Sequence, residues 1–429
     1  MTNKLSTQPY KGSRDFYPSD MKIRNFIFDN WKKVCKSYGY EEYDGPFLES
    51  FEVYAAKSGE ELVNEQLYSF TDRGDRKIAI RPEMTPTLAR MIAQKINELP
   101  RPIRWFSIAN FWRYEKPQRG RGREFFQLNT DIFGVEGREA DLEIISLMAD
   151  LIKSFGAKEN MFEIRINNRK LMDNFYKKLG LEVGQIKIVN KAIDKRNKIS
   201  EEEFEKWLSE DAKLQSKQIT NLSDFIENPY PTINSMCDEK YEGALELTEL
   251  MNLINETNLN DFIRIDVSTI RGLDYYTGTV FEIFDLNPIN SRAIGGGGRY
   301  DDLIGLFGNE KLTGTGFAIG DITFTDFLQT WGLLPEFNDE IDYFVTLWPS
   351  ENQQFILKTL EISKKLREKG FKVSTWLEKN TKIDKQLKYA DKIGADFTII
   401  VGENELKNDT LLVKNMKEKS QSEIKLEDF

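Results

Sequence analysis

The feature that most restricts the fold is a change of periodicity near residue 341. From there on, segments of strand and helix character alternate: 343–348 as strand, 355–369 as helix, 371–377 as strand, 383–393 as helix and 397–401 as strand. Parallel strand neighbours need a crossover between them, and this order supplies one each time. Residues 341–429 are therefore predicted to form a small separate α/β domain with parallel neighbours. The earlier part is patterned differently. Residues 21–38 place Ile23, Phe26, Ile27, Trp31 and Val34 at helical spacing, with Gly39 as a stop signal. Residues 70–81 read as a hairpin around the charged turn at 72–75, with 77–81 as a strand that begins a sheet. Further strand candidates lie at 105–114, 124–135, 162–166, 262–266, 279–284 and 314–319. Strands joined by hairpins, with helices between some of them, predict an α+β domain on a mainly antiparallel sheet. From about 170 to 256 the chain becomes charged and helix-prone, as an inserted helical module would be. The expected division is 1–332, carrying that insertion, and 341–429, with a linker near 333–341.

At 429 residues the chain suits two or three domains. Its net charge of −10 argues against bulk electrostatic attraction to nucleic acid, so any RNA contact must be local. Residues 341–429 are nearly balanced, with 16 Lys and Arg against 15 Asp and Glu. No stretch approaches the ~18 unbroken apolar residues of a spanning helix, and the polar first residues lack a signal-peptide core, so a cytoplasmic protein with no membrane contact is expected. Cys35 and Cys237 are too few and too far apart for a disulfide framework or thiolate cluster, and both are expected to be reduced and structural. The chain has no histidine. Its chemistry must run on carboxylates, Arg, Lys, Tyr and groups of the substrate.

Five segments carry candidate chemistry. In Arg81-Pro82-Glu83-Met84-Thr85, a carboxylate and a hydroxyl at a strand end suit an ammonium group. A plain helix start, with Thr85 as cap and Glu83 solvated, is the alternative. Residues 111–127 read as two strands flanking a Gly- and Arg-rich loop, whose Arg113, Arg121 and Arg123 would converge at the hairpin base. Guanidinium groups suit phosphate oxygens; a solvated basic turn is the other reading. Arg271, Tyr275 and Tyr276 offer a charge clamp beside aromatic walls, or tyrosines simply packed in a turn. Gly295 to Gly298, before Arg299-Tyr300-Asp301, could let backbone approach a ligand or form a flexible hairpin. Gly314, Gly316 and Gly320 could equally serve close helix packing.

Together and in this order these segments resemble the class II histidyl-tRNA synthetases over essentially the whole chain. The run from Arg271 to Tyr276 and that from Gly297 to Asp301 are similar to the family's two histidine-specific motifs, and 113–127 is similar to class II motif 2. Gly12-Ser13-Arg14-Asp15-Phe16, the helix ending at Gly39-Tyr40 and the following Pro46 resemble motif 1, which in the family builds a dimer interface, so a homodimer is implied. Residues 382–394 resemble the family's anticodon-binding domain, which would read the tRNA through localised Lys and aromatic contacts.

The resemblance implies formation of histidyl-adenylate from histidine and ATP with Mg2+, then transfer to the 3′ end of histidine tRNA. Arg113 and Arg271 would be the catalytic cations, and Arg121 and Arg123, with Glu115, would complete the ATP site. Glu83, Thr85 and Gln127 would hold the substrate ammonium, Asp131 and Tyr276 the imidazole, with Tyr275 and Tyr300 beside them. Gln118 would face the tRNA acceptor end. No protein ligand for a metal is assigned. Two positions depart from the family pattern. Many members carry Glu-Arg after the last glycine of motif 3, the Arg gripping ATP; here Gly320 precedes Asp321-Ile322-Thr323, and no Arg lies between Arg299 and Arg367. Either other groups compensate or ATP binds more weakly. Phe126 stands where His or Tyr is more familiar. The competing reading is a catalytically inactive regulatory paralogue from histidine biosynthesis, which would lack an anticodon domain and have eroded Arg113 or Arg271 positions.

Overall fold

The computed structural model describes residues 5–56, 59, 62–196, 199–270, 275–290, 292–308, 310–337, 341–348 and 352–425. The chain divides into two compact units, Met1–Leu334 and Pro335–Phe429.

The first unit's described strands are β1 (Glu41–Glu42), β2 (Leu48–Ser50), β3 (Ser69–Thr71), β4 (Lys77–Ile80), β5 (Ile103–Trp112), β6 (Glu124–Phe133), β7 (Phe162–Asn168), β8 (Ile263–Ile265), β9 (Thr279–Asp285), β10 (Ala293–Arg299) and β11 (Gly314–Gly320). Eight of these form one sheet in the order β1-β5-β6-β11-β10-β9-β7-β8. It is mainly antiparallel; the two edge pairs, β1 with β5 and β7 with β8, run parallel. The helical insertion, from Arg169–Lys178 to Glu242–Asn255, is the crossover that the β7–β8 pair requires. The hairpin expected at 70–81 is present as β3 and β4, but it joins β2 in a separate three-stranded sheet instead of beginning the large one. Turn chemistry fixes a hairpin locally, whereas its outer partner is chosen by tertiary packing.

The large sheet is two-faced. Along β6, Leu128, Thr130 and Ile132 alternate with Gln127, Asn129 and Asp131, so the apolar and polar sets point to opposite sides. Leu128 and Ile132 belong to the main core, with Ile27 and Trp31 of helix Pro18–Ser37, Ile144 and Leu151 of helix Glu139–Lys153, and Phe324 of helix Asp321–Thr330. Trp31 and Phe324 meet at 5.4 Å between ring centroids. The polar face is left to the cavity described below.

The Gly295 to Gly298 run is neither a loop nor a hairpin: it lies in β10, paired with both β9 and β11. Low strand propensity hid it, and close backbone approach explains it. Arg299 at its end is buried, with its Nε 3.1 and 3.2 Å from the Asp141 carboxylate oxygens and its Nη2 donating to the Gly137 carbonyl at 2.8 Å. Burial raises the Asp141 carboxyl pKa, and the Arg299 and Arg138 charges oppose that rise. The pair fastens β10 to helix Glu139–Lys153.

The second unit contains β12 (Ile341–Val345), β13 (Val373–Thr375), β14 (Ala395–Ile400), β15 (Thr410–Asn415) and β16 (Gln421–Lys425), in the order β13-β12-β14-β15-β16. β13, β12 and β14 are parallel, as the strand–helix alternation predicts, and β15 and β16 add an antiparallel edge. Its core joins Val345, Ile399 and Leu411 to Phe355, Ile362 and Leu366 of helix Gln353–Glu368. Buried Gln386 bonds the Leu347 amide and carbonyl at 2.8 and 2.9 Å.

Candidate active site

The polar face of the large sheet forms one wall of a cavity of about 910 Å3. That is at the upper end for small-molecule clefts, about 300–1,000 Å3, and leaves room for two substrates.

Its floor is built by register. Asp131 on β6 stands opposite Gly316 on β11, which stands opposite Gly298 on β10. A Cβ on Gly316 would come within 2.3 Å of Asp131 Oδ1 and 2.8 Å of the Tyr300 hydroxyl; one on Gly298 would come within 2.8 Å of the Tyr276 ring. Side chains from neighbouring elements thus lie across a row of glycines. Tyr300 donates a hydrogen bond to Asp131 Oδ1, while Asp131 Oδ2 is buried without a partner among the described residues. Burial pushes the Asp131 carboxyl up to about 7, with the Tyr300 bond opposing. Burial and the nearby Asp131 charge hold Tyr300 well above the ordinary phenol range, so it remains the donor.

A second wall comes from the segment between β4 and helix Thr85–Gln94. Glu83 and Thr85 are both buried and line the cavity, and Tyr275 donates to Glu83 Oε2 at 3.1 Å. The plain helix-start reading fails here: Met84 holds the N-cap position, no side chain caps the helix, and Glu83 is not solvated. Gln127 extends the polar row of β6 into the same space.

Beyond β5 and β6 the cavity becomes basic. Arg113 donates from Nε to the Pro82 carbonyl at 2.9 Å and lies 5.2 Å over the Phe125 ring, which fixes its stem beside Glu83. Arg121 pairs with Glu115 at 2.5 Å, and both line the cavity. Arg123 is not among its lining residues. It stacks 4.0 Å over Tyr114 and donates to the Tyr10 hydroxyl at 2.7 Å, on the outer side of the loop. Phe126 also faces away, with Arg24 at 5.0 Å over its ring, which accounts for an aromatic residue of different type being accommodated there. Asp321 points away too, taking Arg14 Nη2 at 2.7 Å and the Phe126 amide at 2.9 Å. Burial raises its pKa, with Arg14 opposing. Arg271 lies outside the described residues, whereas Tyr276 lines the cavity beside Tyr275, ring centroids 4.9 Å apart. Among the described residues there is no group of three or more acidic or cysteine side chains placed to hold a metal ion.

Asn129 and Arg292 are among the lining residues that sequence reasoning missed. Asn129 was legible as the middle member of the alternating Gln127, Asn129, Asp131 row. Arg292 precedes a strand whose glycines gave no strand signal. Chemically, the cavity joins an acidic, aromatic end suited to a cation or ring N–H with a guanidinium end suited to phosphate.

The family model described as "Histidyl-tRNA synthetase" matches residues 12–321, and that described as "Anticodon binding domain" matches 345–429. The histidine–tRNA ligase of Leptospira biflexa is 46% identical over 97% of this chain and 95% of its own length. That of Haloarcula marismortui is 38% identical over 98% and 96%. The crystal structure of histidyl-tRNA synthetase from a Nostoc species superposes with a TM-score of 0.79 at 25% identity, covering 99% of this chain and 98% of that one. By family model, full-length relatives and fold alike, the chain belongs to the histidyl-tRNA synthetases.

Proposed function

We propose that this protein activates histidine with ATP and transfers it to the 3′ end of histidine tRNA. The observation that carries the reading is that Asp131, Glu83 and Arg113 line one cavity, so an imidazole site, an ammonium site and a phosphate-neutralising cation are within one substrate's reach of each other. The histidine carboxylate is already ionised near neutral pH and needs no general base. One of its oxygens attacks the α-phosphorus of ATP, the bond to the bridging oxygen breaks, and pyrophosphate leaves. Positioning and charge neutralisation therefore dominate the step, which is the role assigned to Arg113 and, by resemblance alone, to Arg271. Glu83, Thr85 and Gln127 hold the ammonium. Asp131 accepts from one ring nitrogen, and Tyr276 reads the other. In the second step the terminal tRNA hydroxyl attacks the adenylate carbonyl and AMP leaves.

Mg2+ belongs to this reading as part of the ATP substrate. It keeps phosphate and water oxygens as most of its ligands and needs only one or two carboxylates, and Glu115 in the basic wall is a fitting one. For the tRNA, the second unit offers exposed Tyr389, its ring 5.3 Å from Trp376, with Lys385 5.8 Å from the Trp376 centroid. Aromatic faces beside lysines suit unstacked bases. A homodimer and a cytoplasmic location complete the proposal; no helix among the described residues is long and apolar enough to cross a membrane. The regulatory-paralogue reading is not favoured, because a ligase is 46% identical over 95% of its own length and the anticodon-binding model matches residues 345–429.

Amino-acid-dependent ATP–pyrophosphate exchange tests the proposal, each standard amino acid being offered separately with Mg2+. Exchange with histidine alone is the expected result. Folded protein that exchanges with none would overturn it.

A further inference from the structure

Arg292 stands immediately before β10 and lines the cavity. Its stem runs beside the loop glycine Gly120: a Cβ there would lie 3.2 Å from Arg292 Cδ and 3.2 Å from Thr323 Cγ2. Arg292 therefore sits where the Arg-rich loop after β5 meets the segment following Gly320, the segment that carries Asp321-Ile322-Thr323 in place of Glu-Arg.

Its guanidinium makes no hydrogen bond or ion pair with any described residue, unlike its basic neighbours. Arg121 holds Glu115 at 2.5 Å, and Asp321 is taken by Arg14 at 2.7 Å. Asp326, on the same side of Gly120, interacts with Arg119. Burial, then the like charge of Arg121, lowers the Arg292 pKa below the ordinary arginine value, and Glu115 opposes this. Two guanidinium groups thus share one wall, and Glu115 is the carboxylate that acts on both. A partly buried cation of this kind is uncompensated until an anion with several oxygens arrives. Guanidinium matches phosphate oxygens with parallel hydrogen bonds.

We infer that Arg292, together with Arg121, holds the terminal phosphates of ATP and supplies from the residue before β10 the cation that this chain lacks after Gly320. Gly120 is part of the device: with φ +72 it bends the loop, and its missing side chain leaves the space through which the Arg292 stem passes. The inference rests on the cavity being the adenylation site, and its test separates the two.

The test uses the full-length protein in histidine-dependent ATP–pyrophosphate exchange, with equilibrium binding of ATP and of AMP measured alongside. Arg292→Ala is expected to raise the KM for ATP by about tenfold or more, the loss expected for a charge-assisted phosphate contact. The KM for histidine and the affinity for AMP should stay within about twofold, since neither involves the terminal phosphates. Arg292→Lys should recover part of the ATP affinity, retaining charge but not the fork. Arg113→Ala is the reference. If it raises the KM for ATP and Arg292→Ala does not, the Arg292 role is overturned and the cavity reading stands; if neither does, the cavity reading falls as well. Equal losses for ATP and AMP in Arg292→Ala, or a histidine KM that moves with them, would also overturn the Arg292 role. Should Arg292→Ala not fold, Arg292→Lys decides: an unchanged KM for ATP together with unchanged ATP binding would overturn it.

Discussion

In the proposed function, Asp131 is the side chain assigned to recognise the imidazole. It is fully buried, its Oδ1 is occupied by Tyr300, and its Oδ2 is open to a ring N–H. Asp131→Asn keeps an acceptor for Tyr300 but removes the charge. It is expected to raise the KM for histidine roughly ten- to hundredfold, matching about 1.5–3 kcal/mol for a hydrogen bond to a charged group. An unchanged histidine KM in exchange assays would remove Asp131 from the site. The same residue sets a pH dependence. Its folded-state pKa, about 7, lies above the ordinary 3.8, so the folded state takes up the proton more readily than the unfolded one. Asp131 therefore contributes stability in full below about pH 3.8 and loses that contribution as pH rises through about 7, at no more than ~1.4 kcal/mol per unit. Denaturation of wild type and Asp131→Asn across this window should show the variant gaining relative stability as pH rises. A difference that does not change with pH would show that Asp131 titrates normally.

At the scale of elements, the site depends on β10 and β11 being poor in side chains. Gly316→Ala would drive a methyl group toward Asp131 Oδ1 at 2.3 Å and the Thr130 carbonyl at 2.6 Å. Overpacking of this kind costs about 1–3 kcal/mol, so a lower Tm and a raised histidine KM are expected together. A normal KM alongside a lowered Tm would separate the floor's packing role from its role in the site. This explains which elements were legible in the sequence. β5, β6 and β9 carry alternating or β-branched residues, and the helix beginning at Pro18 has a clear apolar stripe, so both announced themselves by period. β10 did not, because glycines that serve close approach carry no periodic signal. Arg292 went unseen for the same reason, since its position has meaning only once the next residues are known to enter the sheet. Glu83 and Thr85 were singled out by the chemistry of a strand end and Asp131 through motif resemblance; their burial, which turns an exposed turn into a wall, was visible only in three dimensions. Arg123 carried the right chemistry in the right loop, yet the tight turn at Gln118–Arg121 directs it outward onto Tyr114. Alternation along a strand can be read from sequence, but the direction of side chains around a hairpin tip cannot.

For the whole molecule, the proposed dimer is a prediction of its own. The three-stranded sheet and its flanks expose Phe47, Leu48, Phe70 and Tyr114, each more than 40% accessible. A cluster of large apolar side chains at the surface marks an interaction face. Sedimentation equilibrium is expected to give twice the 50.0 kDa chain mass, and Leu48→Lys with Phe70→Lys should shift the protein toward monomer. A monomeric wild-type protein at micromolar concentration would overturn the assignment. The composition has another consequence when set beside the buried Asp131. A chain with no histidine contributes no imidazole signal of its own. Histidine labelled with nitrogen-15 and bound beside Asp131 would therefore give the only imidazole resonances in the sample, and their shifts would report directly whether the shared proton rests on the ring or on the carboxylate.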